Sequence, residues 1–85
     1  IFSVQMAGGW TTRQIEQIYP EVQQFLSDQL KQKQIQMKQI INYSSQVVAG
    51  LNHKITIIDN QEQKYEIVIW QKLDRKYEIT SFEKL

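Results

Sequence analysis

The side chains able to do chemistry in this chain are few and scattered. His53 is the only histidine, and there is no cysteine. The missing thiols exclude a disulfide scaffold, a thiolate metal site and a cysteine nucleophile. A lone histidine with no evident nucleophile or second ligand reads as a satisfied strand residue. Asp59, Glu62, Glu66 and Glu78 fall at turns and on exposed strand faces, as solvating charges rather than an acid/base pair. No constellation of nucleophile, base and orienting group can be assembled, so neither an enzyme nor a cofactor site is expected. What stands out instead is an apolar pentad, Gln46-Val47-Val48-Ala49-Gly50. Its valines favour a strand and its glycine a turn. A plain strand ending at a hairpin explains it. A hydrophobic wedge shaped for another protein's groove explains it as well, and there the chemistry is burial of apolar surface.

The elements that must hold this pentad follow from periodicity. Residues 1–10 lack a helical period, and Gly8-Gly9 interrupts any regular element, which predicts a flexible N-terminal arm. Thr11 is a candidate N-cap with Gln14 three residues on. Ile15, Ile18, Tyr19, Val22, Phe25, Leu26 and Leu30 then form a helical stripe. Pro20 falls inside it and should kink it, because proline has no N–H to donate. The spacing predicts one kinked helix from about Thr12 to about Lys31, roughly 30 Å long. From residue 35 the period becomes two. Ile35, Met37, Ile41, Tyr43 and Val47 share one face of a long strand, with Gln39 and Ser45 as exceptions. Three more alternating runs follow: Leu51, His53, Ile55 and Ile57; Tyr65, Ile67 and Ile69; Tyr77, Ile79 and Ser81. Turns at Ala49-Gly50, Asp59–Glu62 and Leu73–Lys76 separate them. Short turns make neighbouring strands antiparallel. The expectation is a single α+β domain over 1–85, one long helix packed on a twisted antiparallel sheet of four to five strands. The helical stripe is core, not a partner groove. In such a meander the first and third turns share an end of the sheet, and the arm can reach the same end.

Composition narrows the partners. The chain is 41% hydrophobic and 22% charged, ordinary values for a globular domain. With 10 Lys+Arg against 9 Asp+Glu there is no basic field to track phosphates, so nucleic acid is not an expected partner. No run approaches the ~18 apolar residues of a membrane span. Fourteen glutamines are spread among apolar residues, a compositional bias rather than a prion-like tract. Localisation stays open between cytoplasmic and secreted. A disulfide-free chain suits the cytosol, whereas a start at Ile1 fits a cleaved signal peptide or a trimmed chain. Asn42-Tyr43-Ser44 is an N-glycosylation sequon, meaningful if the chain is secreted.

The order of elements and the quoted residues resemble the cystatin family, protein inhibitors of papain-like cysteine proteases. "QVVAGLNHKI" is similar to that family's QVVAG-x-N-aromatic-x-I pattern over ten consecutive positions. "MAGGW" before a helix containing proline, and the lack of cysteine, resemble the disulfide-free stefin branch. "YEIVIWQKL" resembles the strand leading to the family's second hairpin, and the likeness covers nearly the whole chain. Two departures stand out. Many relatives carry Pro-Trp or Leu-Pro at the second hairpin, where this chain has Leu73-Asp74, and the usual aromatic after the asparagine is His53 here.

The resemblance implies a reversible, tight-binding, non-covalent inhibitor of cathepsin-type proteases. Val47, Val48 and Ala49, flanked by Gln46 and Gly50, would wedge into the cleft beside the catalytic cysteine. Gly8 and Gly9 would let the arm lie across the non-primed subsites with Met6 and Ala7 in pockets. Leu73 and Asp74 would touch the primed side weakly, an aromatic anchor being absent there. Burial of wedge area in a preformed groove, on a rigid scaffold, would supply the binding energy. The rival reading is a non-inhibitory module of the same fold. It would self-associate by strand addition of its apolar arm or by exchange of the first hairpin, as in domain swapping.

Overall fold

The computed structural model describes residues 9–85, and the flexible-arm expectation for the residues before Gly9 lies outside them. In chain order the elements are β1 (Thr11–Arg13), a 3-10 turn (Ile15–Gln17), α1 (Pro20–Gln32), β2 (Met37–Val48), β3 (Gly50–Asp59), β4 (Lys64–Gln71) and β5 (Tyr77–Lys84). The five strands form one sheet in sequential order, each antiparallel to the next, with α1 packed across one face. The fold is α+β.

The single kinked helix from Thr12 is not formed. Tyr19 is held extended at φ −61° and ψ 142°, and Ile18 likewise at φ −68° and ψ 126°. A residue before proline is pushed out of helical space by the pyrrolidine ring, so Pro20 starts the helix rather than bending it. Its missing N–H is one the first turn would leave unpaired anyway. Thr11, expected as an N-cap, instead pairs with Ser45 in β1, and Arg13 pairs with Tyr43. α1 therefore spans 13 residues, about 20 Å at 1.5 Å per residue. It closes with Gln34 in the left-handed region at φ +59°. The Ile35 N–H donates to the Leu30 carbonyl (2.9 Å) and the Gln34 N–H to that of Lys31 (3.0 Å), a Schellman ending without glycine.

Ile18, Val22, Leu26 and Leu30 pack on Tyr43, Ile55, Ile57, Ile67 and Ile69, all nearly or fully buried. Phe25 and Ile15 close the sides of this core. Truncating Leu26 to alanine would cost about 2–5 kcal/mol. Two strand faces differ from simple alternation. Register shifts between Met37 and Gln39 and between Ile40 and Asn42 each insert a residue in β2. Ile40, not Ile41, then pairs with Ile57 and packs on the core. Gln39 drops out of the core face, so it is no exception to it. A third shift in β5 puts Phe82 opposite Ile67 on the core face in place of Ser81. A bulge moves every later residue to the other face, which alternation in sequence does not reveal.

Candidate functional site

The end of the sheet formed by the β2–β3 and β4–β5 hairpins displays apolar side chains. In the first hairpin Val47 pairs with Leu51 and Val48 with Gly50, leaving Ala49 alone at the apex. So tight a reversal needs a left-handed residue, and Gly50 supplies it at φ +98°. A Cβ there would strike the Gln71 carbonyl oxygen, so the glycine is also demanded by the close approach of β4. Val47 is 63% exposed; Ala49 is exposed and Val48 half-buried. Gln46 lies on the face away from the helix, where its Oε1 accepts a hydrogen bond from Asn52 Nδ2 (3.1 Å). Trp70 reaches across from β4 and donates its Nε1–H to the Ala49 carbonyl (2.9 Å), bracing the apex.

The second hairpin is wider. The Lys72 N–H donates to the Lys76 carbonyl (2.8 Å), the Arg75 N–H donates back to that of Lys72 (3.0 Å), and Arg75 is left-handed at φ +69°. Asp74 Oδ1 accepts the Lys76 N–H (3.0 Å), so this carboxylate shapes the loop. Leu73, at 79% exposure, is the most exposed of the large apolar side chains among the described residues. Lys72 pairs with Glu78 (2.8 Å) and lies 5.4 Å from the Trp70 ring centre. Of the arm residues expected to touch a protease, only Gly9 falls within the described residues. It is exposed, and nothing lies within 4 Å of where its Cβ would be. Met6, Ala7 and Gly8 lie outside them, so the structure gathers Gln46–Gly50 with Leu73 and Asp74 and does not place the other three.

Behind the tips sits His53, 1% exposed. Its Nε2 is 2.8 Å from Gln71 Oε1, an acceptor, so Nε2 carries the proton and the Tyr43 hydroxyl donates to Nδ1 (2.7 Å). The ring stacks on Tyr43 (5.9 Å, 12°) and meets Tyr19 edge-on (5.8 Å, 70°). Burial pushes the imidazole below its ordinary pKa, opposed by the Gln71 hydrogen bond. Burial raises the Tyr43 phenol, with Arg13 acting against it. Ser45 is the register partner of His53, yet both imidazole nitrogens are taken and Ser45 Oγ accepts from Arg13 Nε (3.0 Å). This geometry gives the serine no base. Among the described residues no group of three or more His, Asp or Glu is placed to hold a metal ion. No helix there is long and apolar enough to cross a membrane.

Asp59 is not the solvated turn charge expected. It is 8% exposed, and its Oδ1 accepts the Gln61 and Gln63 N–H groups (2.8 and 2.9 Å). Chiefly the Gln63 amide holds its carboxyl below the ordinary carboxylate range, against the effect of burial. Glu62 and Glu78 pair with Lys38 and Lys72 at the surface. Asn42 is exposed opposite Thr56, on the face away from the helix. It is five residues from Val47, roughly 17 Å along a strand.

Three contacts around the tips have no signature in local sequence: the Trp70 brace, the Arg13–Ser45 bond, and Lys54 over the Trp10 ring at 4.4 Å. Each joins residues far apart in the chain, and only the register of the strands brings them together. No protein-family model matches this chain, and a search of curated proteins gives no match either.

Proposed function

We propose that this chain is a reversible, tight-binding inhibitor of papain-like, cathepsin-type cysteine proteases, acting through a cystatin-like, stefin-like docking end. One observation carries the reading: two neighbouring hairpins at one end of the sheet hold Val47, Ala49 and Leu73 out in water. Apolar side chains at convex tips are placed to fill a concave groove. The apex is braced by Trp70 and Gly50, so little conformational freedom is lost on docking. Val47, Val48 and Ala49 cover the cleft wall beside the catalytic cysteine, Gln46 and Gly50 hold their shape, and Leu73 with Asp74 touches the primed side. Met6, Ala7, Gly8 and Gly9 form the arm across the non-primed subsites. Inhibition follows from obstruction, with no bond made or broken.

The test is a titration of papain with the wild-type chain and Val47→Asp. Wild type is expected to abolish activity stoichiometrically and to bind papain whose cysteine has been alkylated. Val47→Asp alters an exposed side chain and should weaken inhibition about a hundredfold or more, since it buries a carboxylate in an apolar groove. Wild-type protein that leaves papain fully active would sink the proposal.

A second reading, self-association, is favoured by one feature. β1 covers only Tyr43–Ser45 of β2, so among the described residues the Met37–Asn42 edge has no neighbouring strand. An open edge is a template for strand addition by another copy. Sedimentation separates the two: a mass that grows with concentration, without papain inhibition, supports assembly.

A further inference from the structure

Beside the first hairpin, on the helix side of the sheet, lies a recess of about 190 Å³ lined among others by Arg13, Tyr19, Tyr43, Ser45, Leu51 and His53. Among the described residues Arg13 is its only charged lining residue, and no carboxylate borders it. The guanidinium is oriented by the bond from Nε to Ser45 Oγ (3.0 Å), a side chain on a buried strand position. It makes no ion pair, and its two terminal amino groups have no hydrogen-bond partner among the described residues. An arginine fixed through Nε presents its remaining fork, the two Nη groups, to a planar bidentate acceptor. The Tyr43 hydroxyl is committed to His53 and the imidazole is neutral and doubly bonded, so no described residue in the recess neutralises that charge. The half-exposed Tyr19 ring forms one wall.

The geometry points to a carboxylate-binding site that takes an acidic side chain of the protein docked on the hairpin tips. Leu51, on the rim, is the register partner of Val47, so a partner covering Val47 also covers the mouth of the recess. Another cleft at this end, lined by Tyr19, Glu21, Gln71, Arg75 and Tyr77, already contains a carboxylate and is the poorer candidate. The carboxylate chemistry stands on Arg13 alone. That its source is a protease side chain rests on the function proposed above.

The site is read first without any enzyme. N-acetyl-glutamic acid α-amide, which carries only the side-chain carboxylate, is titrated at pH 7.5 while the Arg13 Nε–H, Tyr43 and His53 signals are followed by NMR. N-acetyl-glutamine α-amide is the uncharged control. A saturable shift with the acid, absent with the amide, is expected, and Arg13→Gln should lose it at least tenfold in affinity. Arg13→Lys keeps charge but loses the fork and should recover only part. Unchanged Thr11 and Thr12 amide signals show that β1 is intact in both variants. In papain titrations, Arg13→Gln should weaken inhibition about tenfold at low salt, with the gap closing as salt rises. No saturable shift, or the same shift in Arg13→Gln, overturns the site even if papain is inhibited. A shift without any papain inhibition keeps the site and overturns the protease reading.

Discussion

The loops 59–63 and 72–76, at opposite ends of the sheet, close in the same way. In each the first N–H donates to the fifth carbonyl, at 2.9 and 2.8 Å, and the fourth N–H returns to the first carbonyl, at 3.1 and 3.0 Å. In each the fourth residue is left-handed without being glycine: Glu62 at φ +64° and Arg75 at φ +69°. The side chains then part company. Asp59 turns inward and gathers the loop's own amides, while Asn60 ties to Gln36 through its backbone N–H and its side chain, both at 3.1 Å. In the other loop Leu73, at the place of Asn60, stands 79% exposed. One backbone device thus serves a closed end and a displayed end. What distinguishes them is whether the second residue is tied down or held out.

Among substitutions at the two ends, the largest stability effect should fall on the displayed end, at the hairpin beside loop 72–76. Gly50→Ala places a methyl against the Gln71 carbonyl in a left-handed residue, a cost of about 3 kcal/mol from strain and crowding together. Gly9→Ala meets open space and should change stability by less than about 0.5 kcal/mol. Urea unfolding measures both. Equal midpoints for Gly50→Ala and wild type would mean that the tip is not braced as described.

Next comes the closed end. Asp59→Asn should lower Tm clearly while leaving papain inhibition intact, because the residue lies away from both tips. Its folded pKa is held below the ordinary carboxylate value of about 3.9. The stability it contributes is present above that value and is lost as pH falls through the lower folded pKa. The variant should lack this part of the acid transition. His53, behind the displayed end, gives a second window. Its folded pKa lies below the ordinary value of about 6.5, so the unfolded chain binds the proton more readily. Stability is therefore full above about pH 6.5 and declines as pH falls below it toward the folded pKa. His53→Phe should flatten that decline, at the cost of leaving Tyr43 and Gln71 without a partner. A wild-type Tm that is constant from pH 7 to pH 5 would contradict the burial of a neutral imidazole.

These residues also show what was legible in the chain. The period of two found all four long strands and their turns, because Ile55, Ile57, Ile67 and Ile69 alternate without interruption. It failed at Ile41 and Ser81, since an inserted bulge residue looks like any other residue in sequence. The helix start was misread because Ile15 and Ile18 continue the apolar stripe. A 3-10 turn delivers them to the same core, so the spacing does not distinguish one long helix from a turn and a shorter helix. That misreading hid β1, and with it Arg13 and the recess. The turn at Gly50 was legible because a tight reversal is written in residue type. The His53 network was not, since Tyr43 and Gln71 are 10 and 18 residues away in sequence.

The left-handed positions sharpen the comparison with a smaller effect. Glu62→Gly and Arg75→Gly should each raise stability by about 0.5–1 kcal/mol, since a non-glycine residue is strained there. The Lys38–Glu62 pair is exposed and its loss should subtract little. If the loops share one backbone solution, the two gains should match. A gain at one and a loss at the other would show that side chains, not the closure, set the loop conformation.

The smallest stability effect is expected at the position where the loops differ most. Leu73→Asn gives the displayed loop the residue that the closed loop has at Asn60. Leu73 holds no other element in place, so unfolding should move by less than about 0.5 kcal/mol. Asn60→Leu, the reverse exchange, removes the side-chain bond to Gln36 and should cost about 1 kcal/mol. Papain inhibition should respond in the opposite sense. If the proposed docking holds, it should be unchanged in Asn60→Leu and weakened up to about tenfold in Leu73→Asn, which would remove an apolar contact from the primed side. The pair dissociates stability from binding within a single backbone motif. Should Leu73→Asn inhibit as well as wild type, the first hairpin carries the docking end without help from the second, and the exposure of Leu73 has no part in it.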